Sequence, residues 1–325
     1  LLNSFAPLAE LRKQQGLAVA LVDVEDVYDE FGYGNKTPQA IKAFLQYAAT
    51  SWQHAPRFVL IGGDASYDGK NYLGYGDADV VPSKEVETEW MEAASDDWYA
   101  DFDGDGIAEL AVGRLPVRTA SEAAAVVAKI IAYDSAARPE GVLFVADRNE
   151  DFDFEQAIAR LRESIPSDIQ TEEIARGQLG DAAARQRLLA AINEGRKVIN
   201  YVGHGNLNQW RGGLLTSADA GELMSGEHPT FFIAMTCLNG YFNEPALDSL
   251  AESLMKVERG GAVAVWASSG MNGPAEQVIV NQALYRALFD GATVGEATLK
   301  AKAATASRDV RRTWILFGDP TMHLR

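Results

Sequence analysis

Two residues 33 positions apart carry the most reactive pairing in this sequence. Cys237, the only cysteine, closes the apolar run "TFFIAMTC", and His204 closes "INYVGHG" between two glycines. In open parallel sheets ligands gather beyond the carboxyl ends of the strands, so residues at these places are accessible. A thiol beside an imidazole is a nucleophile whose proton has somewhere to go, because the imidazole lowers the thiol pKa or carries its proton. Gly203 and Gly205 remove side chains from around the histidine and let backbone N–H groups approach a carbonyl oxygen, as an oxyanion hole requires. Asp147 closes a third run, "LFVAD", and would share the same sheet edge if these strands are neighbours. The other reading of the same residues is plain packing: a lone cysteine is commonly a small buried hydrophobe. Two such groups ending two adjacent-looking strands make chemistry as good a reading as packing.

A second cluster is acidic. In "DFDGDGIAE", Asp101, Asp103 and Asp105 fall at positions 1, 3 and 5 of an EF-hand-type loop. Gly106 falls at position 6, the Ile107 carbonyl at 7 and Glu109 at 9. Hard oxygens at alternate positions can converge on one structural Ca2+. Position 12 is Val112 rather than a bidentate glutamate, so this is no true EF-hand, and a last ligand would have to come from Asp96 or Asp97. The alternative is a solvated acidic turn.

These groups need a scaffold. Apolar runs at 17–24, 57–63, 109–114, 141–146, 197–203, 230–236 and 261–267 read as strands. Helical patterns lie near 3–15, 38–52, 120–134, 154–164, 181–194, 247–258, 275–289 and 293–306. Thr37-Pro38 predicts an N-cap followed by proline at the first helical position, and "TASE" at 119–122 predicts a capping box. Alternating strands and helices specify an α/β fold with a mainly parallel sheet covered on both faces. Residues 63–106, rich in Gly, Asp and Tyr, read as one long irregular excursion. A weaker break at 134–141 divides the chain into two tandem α/β subdomains, 1–138 and 139–325.

Composition narrows the partners. The formal charge of −17 argues against nucleic acid, which is bound through Lys and Arg, and against an anionic membrane surface. No apolar run is long enough to span a membrane. One cysteine rules out an internal disulfide and leaves the compartment open.

With these residues in view, the chain resembles the gingipain-like cysteine peptidases, relatives of caspases, legumain and separase. "NYVGHGN" followed by "CLNGYF" matches their His-Cys dyad. "VLIGGD" (59–64), "AVGRLPV" (111–117) and "WILFGDPTMHLR" (314–325) match further landmarks in order, across nearly the whole chain. The caspase signature around the cysteine is absent. The resemblance implies a caspase-like fold whose two subdomains form one catalytic unit. It implies Cys237 as nucleophile forming an acyl-enzyme, His204 as acid and base, the N–H groups of Gly205 and Cys237 as oxyanion donors, and Asp147 in support. Asp151 and Asp153 stand where arginine-specific members line the S1 pocket, which would favour Arg or Lys at P1 through a charge-assisted contact; both equally suit a helix start. Trp210 and Trp266 are pocket walls on this reading, or core. Family members carry structural calcium, and the implied location is secreted, periplasmic or at the cell surface. The implied partners are protein or peptide substrates, an upstream propeptide and a downstream immunoglobulin-like domain. The chain opens without methionine, and the family's first strand is expected upstream of Leu1. Two other functions fit the same residues: a sortase-like transpeptidase that resolves the acyl-enzyme with an amine, and a catalytically silent binding module.

Overall fold

The computed structural model describes residues 1–135, 140–223 and 228–324. Eight strands build the central sheet. They are β1 (Phe58–Gly62), β2 (Ala111–Leu115), β3 (Val142–Ala146), β4 (Thr171–Ala175), β5 (Val198–Val202), β6 (Thr230–Met235), β7 (Ala262–Ser268) and β8 (Trp314–Phe317). Their order across the sheet is β1-β2-β8-β7-β6-β5-β3-β4. Strands β3 to β7 pair in parallel, as do β1 and β2. β8 runs antiparallel to β7 and meets β2 at a single register pair, Phe317 with Arg114. The sheet is mostly parallel and flanked by helices.

Every residue of β2, β3, β5, β6, β7 and β8 is buried. Continuous apolar runs are what a strand covered on both faces needs. Each large side chain taken from water there contributes about 1.5–3 kcal/mol. The sheet is continuous across the two parts of the chain, because β8, from the far C-terminus, sits between β7 and β2. The expected subdomain boundary at 138/139 lies outside the described residues.

Local signals mostly act as expected. Thr37 accepts from the Ala40 N–H at 3.3 Å, and Pro38 opens the helix Pro38–Ser51. Thr119 accepts from the Glu122 N–H at 3.2 Å, but the Glu122 carboxylate takes the Arg118 N–H at 2.7 Å rather than that of Thr119, so the box is shifted by one residue. Two expectations fail. Residues 17–23 are not a strand: the segment is irregular and its apolar residues are partly exposed, Leu21 at 44%. Asp23 then caps a helix, Val24–Gly32, which the sequence reading missed although Val24, Val27, Tyr28 and Phe31 fall at i, i+3, i+4 and i+7. The excursion at 63–106 is also not wholly irregular. It contains an antiparallel hairpin of Lys84–Glu87 with Glu92–Ser95.

Candidate active site

β5 and β6 are neighbours, and their register ends on the pair Val202–Met235. The Gly203 N–H carries the pairing one step further, donating to the Met235 carbonyl at 3.1 Å. His204 and Cys237 each lie two residues beyond that last pair. They leave adjacent strands at the same edge of the sheet.

Two glycines permit this convergence. A Cβ on Gly205 would lie 2.6 Å from Thr236 Oγ1, so the histidine loop packs directly on the residue before the cysteine. A Cβ on Gly203 would collide with the Asp147 side chain and the Tyr201 hydroxyl. Beyond the cysteine the chain bends sharply, with Leu238 in the left-handed region at φ 63°. Hydrogen bonds hold that bend: Leu238 N–H to the Gly270 carbonyl at 3.2 Å, and Tyr241 N–H to the Leu238 carbonyl at 3.0 Å.

Asp147 supports the histidine through its backbone. The carboxylate is fully buried and accepts from the His204 N–H at 3.0 Å, the Arg148 N–H at 2.7 Å and the Arg176 guanidinium at 2.6 Å. Tyr201 donates its hydroxyl to the His204 carbonyl at 2.7 Å. Burial, with the Asp147 charge adding to it, holds the Tyr201 pKa well above the ordinary range, so it remains a donor. Arg176 also pairs with Asp181, at 2.9 Å, which fixes the guanidinium from both sides. Backbone N–H and carbonyl of His204 are thus both pinned, and the ring is left to other neighbours.

Those neighbours are Phe154, edge-on at 5.3 Å between ring centroids, and Asp151, whose Oδ1 lies 3.4 Å from Nε2. Asp151 is exposed, and its contact is with the imidazole. Asp153 is committed to the helix Phe154–Arg162, accepting from the Gln156 N–H at 2.9 Å and from the Asn149 side chain at 2.9 Å. Trp210 and Trp266 are both fully buried. Trp210 stacks on Tyr201 with 4.4 Å between centroids, and Trp266 packs on Trp314, so neither presents a face to a substrate.

Cys237 is half-buried, with Sγ 3.7 Å from the Asn272 carbonyl. Burial pushes the thiol pKa up, and the Asn272 backbone offsets part of that. Sequence reading missed Tyr201, Arg176 and Asn272. The last lies four residues past the end of β7, twice as far as His204 and Cys237 lie from theirs, so the strand-end rule points to its loop but not to the residue.

In the acidic loop, carboxylate oxygens of Asp101, Asp103 and Glu109 lie within 4.8 Å of one another. Asp105 lies outside this set; it accepts from the Ile107 N–H at 2.7 Å. Asp96 and Asp97 cannot complete the set. Asp96 forms a bidentate pair with Arg114, and Asp97 pairs with Lys302, all four side chains being buried. Three hard carboxylates at this spacing fit a calcium ion, whose remaining ligands would be carbonyls or water.

Comparison with known proteins identifies the family. The sequence profile of peptidase family C25 matches residues 1–325. The chain belongs to peptidase family C25. Among curated C25-like relatives, Gingipain R2 of Porphyromonas gingivalis (strain ATCC 33277) is 26% identical over 159 residues, 43% of this chain and 21% of that protein. Gingipain R1 of the same species is also 26% identical over 159 residues, covering 16% of its length. The chain therefore spans about a fifth of the length of these relatives. Among solved structures, the Arg-specific cysteine proteinase gingipain R superposes with a TM-score of 0.80 at 19% identity, over 99% of this chain and 76% of that one. A complex of gingipain pro- and mature domains gives 0.79 at 18% identity, over 99% and 77%. The fold shared with these C25 structures is a caspase-like α/β fold. Among the described residues no helix is long and apolar enough to cross a membrane.

Proposed function

We propose that this chain is the catalytic unit of a cysteine endopeptidase that cleaves after basic residues. The observation that carries the reading is the departure of His204 and Cys237 from neighbouring strands, two residues beyond one register pair. Cys237 Sγ attacks the scissile carbonyl and its proton passes to His204. The imidazolium gives that proton to the departing amine, leaving a thioester. His204 then takes a proton from water as it attacks, and the thiol is regenerated. The N–H groups of Gly205 and Cys237 receive the developing oxyanion. Asp147 positions the histidine backbone. Asp151 is the carboxylate left to meet a basic P1 side chain, since Asp153 is taken up by its helix. One relative's description as Arg specific supports that preference. Work outside the cell, on protein substrates and under propeptide control, fits the family.

Mass spectrometry after exposure to chloromethyl ketones with Arg, Lys, Asn or Leu at P1 tests this directly. The expected product is an adduct on Cys237 with the Arg and Lys reagents alone. An adduct with Asn or Leu would keep the nucleophile and discard Asp151 as the specificity determinant. No adduct from any reagent would leave a silent module. Adding a peptide amine to the turnover assay separates hydrolysis from transpeptidation.

The loop at 101–109 is proposed to hold structural calcium through Asp101, Asp103 and Glu109. Removing a ligand that binds only the folded state lowers stability by mass action, by about 2.7 kcal/mol at a hundredfold excess over Kd. Chelation is expected to lower the melting temperature by several degrees, and added calcium to restore it. A melting curve indifferent to both would dismiss the site.

A further inference from the structure

A cleft of about 260 Å3 opens next to Asn272, the residue whose carbonyl touches Cys237. Its walls are Glu89 and Trp90 at the turn of the hairpin Lys84–Glu87/Glu92–Ser95, Met271 and Asn272 after β7, Glu276 in the first turn of the helix Pro274–Phe289, and Asp309 on the helix Arg308–Thr313. Asn272 joins this cleft to the reaction centre, because its carbonyl is the group 3.7 Å from Cys237 Sγ. The asparagine is rigidly held. Its side-chain amide donates to Ser268 Oγ at 2.8 Å and Thr313 Oγ1 at 3.1 Å, and its carbonyl also accepts from Gln277 at 3.0 Å.

We propose that this cleft is a second specificity pocket, which takes a Lys or Arg side chain from a substrate residue other than P1. The inference rests on the peptidase reading above. Size comes first: pockets for whole small molecules run from roughly 300 Å3 upward, so this one suits a single long side chain. Charge comes second. Three acidic residues line the cleft, and among the described residues only the Asp309 carboxylate has hydrogen-bond partners, the Glu89 N–H at 2.9 Å and Arg312 at 3.0 Å. Arg312 also donates to the Glu87 carbonyl, and among the described residues no cation pairs with Glu89 or Glu276. Shape comes third. Trp90 is 52% exposed and Met271 41% exposed, an aromatic face and a flexible thioether that would flank the aliphatic stem of a basic side chain and its cationic head. An acidic residue in a first helical turn favours the helix dipole by itself, which accounts for Glu276 alone but not for Glu89 or an exposed tryptophan opposite it. None of these walls comes from the loops that carry His204 or Asp151, the carboxylate proposed for P1.

The test is a set of peptides with Arg fixed at P1 and Lys, Leu or Glu placed in turn at each of the other positions from P4 to P3′. One position is expected to favour Lys over Leu in kcat/KM on the order of tenfold, with Glu disfavoured. In the Glu89→Gln, Glu276→Gln double variant the Lys:Leu ratio at that position should fall toward one, while ratios elsewhere hold. Turnover with a flat profile, or a preference indifferent to the double variant, would overturn the pocket and leave the peptidase standing. If no peptide is turned over, the peptidase reading fails, and peptide binding to the Cys237→Ala chain decides the cleft. Loss of Lys-peptide binding on adding the Gln pair supports it, and unchanged binding overturns it.

Discussion

Cys237→Ala abolishes turnover, with kcat falling by several orders of magnitude, while the far-ultraviolet circular dichroism and the urea midpoint stay close to those of the parent chain. Removing the nucleophile of an acyl-enzyme pathway leaves only what substrate binding and the oxyanion donors contribute. The structural cost is small because the thiol is half-buried at a strand mouth and makes one long contact, to Asn272. The change should cost less than about 1 kcal/mol, well below the 2–5 kcal/mol of a truncated core side chain. Paired assays of turnover and urea unfolding check it. Activity at more than a hundredth of the parent rate would remove Cys237 from the mechanism.

Asp147→Ala behaves in the opposite way and damages the fold and the chemistry together. It leaves the buried Arg176 guanidinium without its 2.6 Å partner and the His204 N–H without an acceptor. Arg176 keeps Asp181 as a second partner, so what is lost is the satisfaction of buried donors rather than the pairing of a charge, at a cost of about 1–3 kcal/mol. The urea midpoint should drop accordingly, and kcat should fall more than KM rises, because it is the histidine and not the substrate that loses its support. Asp147→Asn retains an oxygen for the His204 N–H and should recover part of kcat. If Asp147→Ala shifts stability but leaves kcat untouched, the carboxylate only holds the fold and does not position the histidine.

Much of this arrangement is legible in the sequence, because the physics that makes a buried strand also makes a recognisable run. β1, β2, β3, β5, β6 and β7 all appear as short apolar segments, and the residues closing β5 and β6 lead to His204 and Cys237. What escapes is whatever depends on a partner distant in the chain. "TEEIA", the strand β4, is polar, and it forms because an edge strand needs only β3 beside it. "WILF" is only four residues long, and nothing local says that it will insert between β7 and β2. Residues 17–23 carry the apolar pattern of a strand without a partner among the described residues, so pattern alone overstates them. Trp210 and Trp266 show the same limit at the site: an aromatic residue near a catalytic motif can face either the cleft or the core, and here both face the core. Asp151 and Asp153 are only two residues apart, yet one reaches an imidazole and the other caps a helix, a division set by the loop's path.

The bend after the nucleophile has a bearing on attempts to engineer this chain. Leu238 adopts a backbone conformation that glycine or asparagine enters far more readily, at a cost of order 1 kcal/mol or more, and neighbouring hydrogen bonds hold it there. That bend keeps the strand from running on past Cys237. Any search for hardier variants will be drawn to this position, because relaxing it raises stability. A glycine there would also loosen the aim of the thiol, so thermal robustness and catalytic competence are set against each other at this one residue.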